Sequence, residues 1–228
     1  MAEDSQVWDP YPKVRGRSVS HRIDKENGNR LWTDAISEEI VKVPGDVEEC
    51  TKSPDKLVGY QEIDLHMIFD IKLGENFRRK ARMVVGGHMT KPPSSVTYSS
   101  VVSRESVRVM LMVAALNDLE IQSADIENAY LTAPCRERVW TRAGVEFGDD
   151  MGKAFMIVKA LYGLRSSGAA FRAFLAERLD EMGFKSSIAD PDVWLRPETK
   201  ADGEEYYKYI LVYVDDLLAI SVDATSVI

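Results

Sequence analysis

The chain has 228 residues, a formal net charge of −8, 45% hydrophobic residues and 29% charged residues. Such a length and composition can bury a core, which excludes wholesale disorder. The excess of 37 Asp and Glu over 29 Lys and Arg excludes a simple electrostatic coat for nucleic acid, though not an enzyme whose basic residues are clustered. Cys50 and Cys135 cannot build a disulfide framework, and with His21, His66 and His88 they show no zinc-ligand spacing, so a reducing compartment is expected. The acidic start, MAEDSQVWDP, lacks the features of a signal peptide, and the longest apolar runs fall far short of the ~20 residues that cross a bilayer.

Residues 1–30 hold Pro10, Pro12 and mixed charge, and are expected to form a flexible lead-in. From Leu31 the apolar positions Trp32, Ala35, Ile36 and Ile40 predict a helix that stops at Pro44-Gly45. Residues 57–73 favour strands, Gly74-Glu75-Asn76 signals a turn, and 77–85 returns as a second strand, which predicts a hairpin. Between Lys72 and Lys91 lie six Lys or Arg and one acid, Glu75. Such a segment is either a solvated edge hairpin or an arm for phosphates. Gly86-Gly87 and Pro92-Pro93 then predict a loop. Ser103 precedes a helix, with Glu105 close behind, whose run VRVMLMVAAL is apolar around most of its surface, so the helix is expected to be buried. Strands are predicted at 120–126, 139–141, 155–159 and 192–196, and a helix between Gly163 and Gly183. The chain closes on two apolar strand-like runs around Asp215-Asp216. Helices interleaved with partly antiparallel strands define an α+β chain.

Two adjacent aspartates between apolar strands demand a reason. A tight turn usually places Gly in the central pair, and here there is none. Like-charge repulsion opposes packing two carboxylates at a strand junction, and a bound divalent cation would offset it. Asp125 ends a separate predicted strand, so if the strands are neighbours Asp125 and Asp215 can face one site. Two Mg²⁺ ions held by shared carboxylates are the arrangement for in-line displacement at phosphorus.

These pieces, in order, resemble the reverse transcriptase of copia-type LTR retrotransposons. The matching segments are Arg79 to Val85 (RKARMVV), Ala124 to Leu131 (ADIENAYL), Ala160 to Gly168 (ALYGLRSSG), Ala189 to Asp192 (ADPD) and Leu211 to Leu218 (LVYVDDLL). The resemblance is clearest over residues 57–222, and Trp32 to Glu39 extends it. It implies a right-hand polymerase fold over residues 31–228, with the basic hairpin in the fingers and an antiparallel palm sheet flanked by helices. Because the sequence stops just after the YVDD hairpin, the thumb is expected to be absent.

The resemblance also assigns roles. Asp125, Asp215 and Asp216 would be the catalytic carboxylates that hold two Mg²⁺ ions. Tyr130 would stack under the deoxyribose and reject a 2′-hydroxyl, or else be a core tyrosine. Tyr162 and Gly163 would lie against the template base and incoming nucleotide, glycine permitting close approach, or else simply start a helix. Lys80 and Arg82 would hold the triphosphate, with Arg78 and Arg79 as further nucleic-acid contacts. Ser166 replaces a glutamine usual in the family, and so loses a polar contact near the template. The implied reaction is RNA-directed addition of dNMP to a primer 3′-hydroxyl. The implied partners are an RNA or DNA template–primer, dNTPs, and the RNase H and integrase portions of a polyprotein. The implied setting is a cytoplasmic retrotransposon particle or the nucleus. A catalytically inactive remnant that only binds nucleic acid is the alternative, and a palm-like nucleotide cyclase is a more distant one.

Overall fold

Two short helices open the described part of the chain, and a single carboxylate joins them. In the computed structural model, which describes residues 17–42, 45–50, 57–74, 76–87 and 96–227, α1 spans Arg17–Asn27 and α2 spans Leu31–Ile40. Asp24 accepts the backbone N–H groups of Trp32 (3.0 Å) and Thr33 (2.8 Å) and the Thr33 hydroxyl (2.8 Å). These are amides of the first turn of α2, which have no partner within their own helix. Burial would raise the Asp24 pKa, but these hydrogen bonds and the nearby His21 outweigh it and hold the carboxyl below its ordinary value. The expected flexible lead-in is therefore corrected over residues 17–30, where the pattern of few apolar residues hid a helix stabilised by its neighbour. Residues 1–16 lie outside the described residues, as do His88 and Pro92-Pro93 of the expected loop.

The chain divides into two units, Met1–Lys91 with Arg138–Leu164, and Pro92–Glu137 with Arg165–Ile228. In the first, β3 (Leu65–Lys72) and β4 (Arg78–Val85) form the expected antiparallel hairpin, paired from Leu65↔Val85 to Lys72↔Arg78. Alternation assigns Met67, Phe69, Ala81 and Met83 to the face that packs on Ala35 and Ile36 of α2. The unpaired outer edge of β4 is held by a buried side chain, since Glu39 accepts the Met83 N–H at 2.9 Å. The same unit contains a four-stranded sheet in the order β1 (Val47–Glu49), β7 (Ala154–Ile157), β6 (Val139–Arg142), β2 (Gln61–Glu62).

The second unit is a meander that closes on a strand from earlier in the chain. Its five-stranded sheet runs β5 (Glu120–Asp125), β11 (Asp216–Ser221), β10 (Glu205–Tyr213), β9 (Val193–Thr199), β8 (Lys185–Ser186), all antiparallel. Continuous apolar runs in β10 and β11 serve two faces at once. Ile210, Val212 and Ala219 pack with Leu179 of α5 (Ser167–Glu181). Leu211 and Ile220 pack with Met110 and Ala114 of α3 (Arg104–Leu116). The expectation that α3 is buried is corrected: Val109, Leu111, Met112 and Leu116 are 40–77% exposed. A helix on a sheet buries one stripe, and the apolar residues of α3 exceed that stripe. Among the described residues no helix is long and apolar enough to cross a membrane.

One buried acid makes the first unit pH-sensitive. The Asp46 backbone carbonyl accepts the N–H groups of Val158 (3.0 Å) and Lys159 (3.2 Å). Asp46 is 6% exposed as a residue, and burial pushes its carboxyl pKa up from 3.8 to about 6, with Lys159 opposing and Glu39 adding to the rise. A raised folded-state pKa stabilises the protonated form, so this contribution is complete below 3.8 and lost as pH rises through about 6. The gap in unfolding free energy between Asp46→Asn and the parent is therefore expected to shift in favour of the variant from pH 5 to pH 7. Urea unfolding at the two pH values checks this.

Candidate active site

The site is built by register. In the antiparallel β5–β11 pair, Asp216 stands opposite Asp125, and Leu217 opposite Ala124. The Ile126 N–H donates to the Asp215 carbonyl at 2.9 Å. That bond makes 126/215 the hydrogen-bonded pair and 125/216 the closely spaced one, with Cα atoms roughly 4.5 Å apart and side chains on one face. Like charges directly opposite are destabilising. Three residues converge on this face, since Tyr213 pairs with Asp216 from the other side. Together with Val102, Leu211 and Leu218 they line a cleft of about 410 Å³.

The turn between β10 and β11 is strained. Tyr213 pairs with Asp216, leaving Val214 and Asp215 as its central residues. Val214 has φ +58°. This is the first central position, where a type II′ turn takes Gly, and a β-branched residue there is an outlier. Strain of this kind concentrates at functional sites. Asp215 occupies the turn itself, so the side chain placed across from Asp125 is that of Asp216 rather than Asp215.

Asp215 reaches Tyr130 by its charge. Tyr130 lies in α4 (Ala129–Thr132), entered through Asn128 in the left-handed conformation. Its ring packs at 6.0 Å on Phe171. Burial first, then the charge of Asp215, raises the Tyr130 hydroxyl pKa. The structure thus groups Asp125, Asp215, Asp216 and Tyr130 in one unit.

Among the described residues, no set of three or more His, Cys, Asp or Glu side chains is gathered closely enough to hold a metal ion. The donor chemistry nonetheless fits Mg²⁺, which takes oxygen ligands and is bound by one or two carboxylates plus substrate phosphates. Asp125 and Asp216 supply such a pair.

The basic residues belong to the other unit and divide between two faces. Lys80 and Arg82 share the outer face of the hairpin with Lys72 and Arg78. Partial burial, then the charges of Arg82, Lys72, Lys42 and Arg78, lower the Lys80 pKa. Arg82 lies 4.0 Å from the Asp70 carboxylate. Arg79 faces the other way: its guanidinium lies 5.6 Å from the Trp32 ring centroid, and it donates to the Phe77 carbonyl. Arg79 is thereby separated from the other four cations, and packing on α2 accounts for it.

Tyr162 and Gly163 are tied to β4. The Tyr162 carbonyl accepts the Val85 N–H at 2.8 Å. Gly163 has φ +96°, and a Cβ there would meet the Val85 carbonyl oxygen at 2.2 Å. The close approach that requires glycine is thus to the chain's own backbone. Ser166 is likewise buried, accepting no place on the surface: its N–H (3.0 Å) and hydroxyl (2.5 Å) both donate to Glu137.

Asp190-Pro191-Asp192, a motif to which the resemblance attaches no role, is a hydrogen-bonded junction. Asp190 accepts the Ser103 N–H (2.9 Å), the Ser106 hydroxyl (2.6 Å) and the Asp192 N–H (3.1 Å). Asp192 accepts the Arg172 Nε–H at 2.9 Å. Glu39 bonds the edge of β4, and the sequence signal for it is a charged residue on the apolar stripe of α2.

An antiparallel sheet ending in paired aspartates, with a basic hairpin in a second unit, is the pattern of a nucleotide-polymerising domain. The reverse transcriptase (RNA-dependent DNA polymerase) family model matches residues 53–228, and the chain belongs to that family. Its curated relatives are Pol polyproteins of copia-type retrotransposons. It is 31% identical over 152 residues to the retrovirus-related Pol polyprotein from transposon RE1 of Arabidopsis thaliana, covering 65% of this chain and 10% of that protein. It is 29% identical over 151 residues to the Pol polyprotein from transposon TNT 1-94 of Nicotiana tabacum, covering 64% and 11%. It is 30% identical over 140 residues to the Ty1-NL2 Gag-Pol polyprotein of Saccharomyces cerevisiae, covering 57% and 8%. The chain spans about a tenth of the length of these relatives.

The strained turn yields a test. Val214→Gly removes the left-handed penalty of about 1–2 kcal/mol, partly offset by the greater freedom of an unfolded glycine. A net rise in unfolding free energy of about 1 kcal/mol is expected. Urea titration followed by far-UV circular dichroism measures it.

Proposed function

We propose that this chain carries the fingers and palm of an RNA-directed DNA polymerase, which adds dNMP to a primer 3′-hydroxyl on an RNA or DNA template. The observation that carries the reading is the placement of Asp216 directly opposite Asp125 at the end of the hairpin bearing Asp215. Two facing carboxylates are costly in a fold without a cation to share.

In this reading Asp125 and Asp216 hold Mg²⁺, with Asp215 beside them in the turn. Bound Mg²⁺ would lower the pKa of the primer hydroxyl and neutralise charge on the leaving pyrophosphate. The cleft beside the carboxylates admits the reacting groups. Tyr130, anchored on Phe171, presents a ring whose bulk would exclude a 2′-hydroxyl. Lys80 and Arg82 would be charge-assisted donors to the triphosphate; burial first, then the charges of neighbouring cations, lower the Lys80 pKa, and a bound polyanion would offset the latter. Arg78 extends the same cationic face toward nucleic acid. Tyr162 and Gly163 serve nucleotide binding by fixing the end of β4. The template–primer, the dNTPs and the further polyprotein portions are the partners this function requires, in a cytoplasmic particle or the nucleus.

A second reading, a remnant that binds nucleic acid without catalysis, draws on one observation: no three-membered ligand set forms among the described residues. Single-nucleotide incorporation on a preformed template–primer separates the two. Mg²⁺-dependent extension by one nucleotide is expected, falling roughly a thousandfold or more in Asp125→Asn and Asp216→Asn. Lys80→Ala is expected to raise the dNTP KM about tenfold with a smaller change in kcat. A retained gel shift with no incorporation by the parent chain would favour the remnant.

A further inference from the structure

The end of β10 leaves its neighbour before it reaches the catalytic turn. Its pairing with β9 runs from Glu205↔Thr199 to Leu211↔Val193. Val212 lies beyond that ladder, three positions before Asp215, and both its backbone groups are taken by loops. The Val212 N–H donates to the Asp192 carbonyl at 2.9 Å, and the Val212 carbonyl accepts the Val102 N–H at 2.9 Å.

These two loops are joined by one side chain. Asp190, 9% exposed, accepts the Asp192 N–H on Oδ1. Its Oδ2 accepts the Ser103 N–H and the Ser106 hydroxyl. Ser103 in turn caps α3, its hydroxyl accepting the Ser106 N–H at 3.0 Å. Burial would raise the Asp190 pKa, but the bonds from Ser106, Ser103 and Asp192 win and lower it, so the carboxylate stays charged. Charged acceptors make the stronger hydrogen bonds. On the other side of the sheet, Asp192 holds Arg172 of α5, while its second oxygen is buried without a partner. Residues 190–192 therefore link both helices to the base of the turn, and neither aspartate is among the metal-site carboxylates.

We propose that Asp190 is a positioning residue for polymerisation: it clamps Val102-Ser103 and the 190–192 loop around Val212, and so sets where Asp215 and Asp216 stand. This rests on the reading of those carboxylates as the metal site. The clamp has two consequences that a merely stabilising contact would not have. Losing it should loosen Val102 and Val212 selectively. It should also weaken cation binding at a distance, without removing a ligand.

The test uses the full chain, ¹⁵N-labelled, with Mn²⁺ as the probe. Amide exchange and Mn²⁺ binding by electron paramagnetic resonance are measured for the parent, Asp190→Asn, Ser106→Ala and Asp125→Asn. In Asp190→Asn, exchange at the Val102 and Val212 amides is expected to quicken roughly tenfold or more, with about fivefold in Ser106→Ala. The mid-strand amides of Ile210 and Ala219 are expected to hold, and Mn²⁺ affinity to fall by similar factors. Unchanged exchange at Val102 and Val212, or equal quickening across the whole sheet, overturns the proposal, as does Mn²⁺ affinity matching the parent. If Asp190→Asn fails to fold, the same criteria apply to Ser106→Ala, which removes one hydrogen bond. Mn²⁺ binding undiminished in Asp125→Asn sinks the metal-site reading, and the exchange pattern then still decides whether Asp190 clamps Val212.

Discussion

Two carboxylates facing each other across adjacent strands are an electrostatic liability, and much of the second unit is arranged to hold them there. The side chains of Asp125 and Asp216 share one face of the sheet because the β5–β11 register places them opposite. A slip of one residue would send Asp216 to the opposite face. Register is therefore fixed by what lies behind the pair: Leu211 and Ile220 on one face and Ile210, Val212 and Ala219 on the other, each set packed against its own helix. The repulsion is tolerated because a slip that relieved it would break the apolar packing on both faces.

The turn that delivers the pair adds strain to repulsion. Val214 adopts a conformation suited to glycine, and Val212 beneath it is gripped by two loops. Strain persists only where surroundings over-determine it. The aspartates of the 190–192 segment supply that over-determination, one bonded to the start of α3 and the other to α5. Ordinary surface acids could not do this, since exposed ion pairs contribute little.

In the first unit the same logic sorts cations instead of acids. Strand alternation sends Arg79 onto Trp32 and leaves Lys80 and Arg82 on the outer face. Glu39 then holds the free edge of that strand through Met83. The run RRKAR reads as a uniform basic patch only until the pleat divides it. A guanidinium stacked on an aromatic ring and one presented to a ligand have the same sequence signature, which is why Arg79 could not be told from its neighbours beforehand. The same holds for Gly163, where a need for close backbone approach was legible, while the approaching group, the Val85 carbonyl, was not.

By itself the sequence determined the α+β class, the basic hairpin, the helix before Gly183 and the family, because these depend on local periodicity, turn residues and short ordered motifs. It also singled out Asp125, Asp215 and Asp216, since adjacent acids between apolar strands conflict with local preference. Only the tertiary structure decided that Asp216 rather than Asp215 stands across from Asp125, that residues 17–27 form a helix, that one face of α3 stays exposed, and that Asp190 anchors the turn. Each of these depends on pairing register or on contacts between residues up to 87 positions apart. Such choices are made by the total packing of the unit, and no window along the chain contains the competing alternatives.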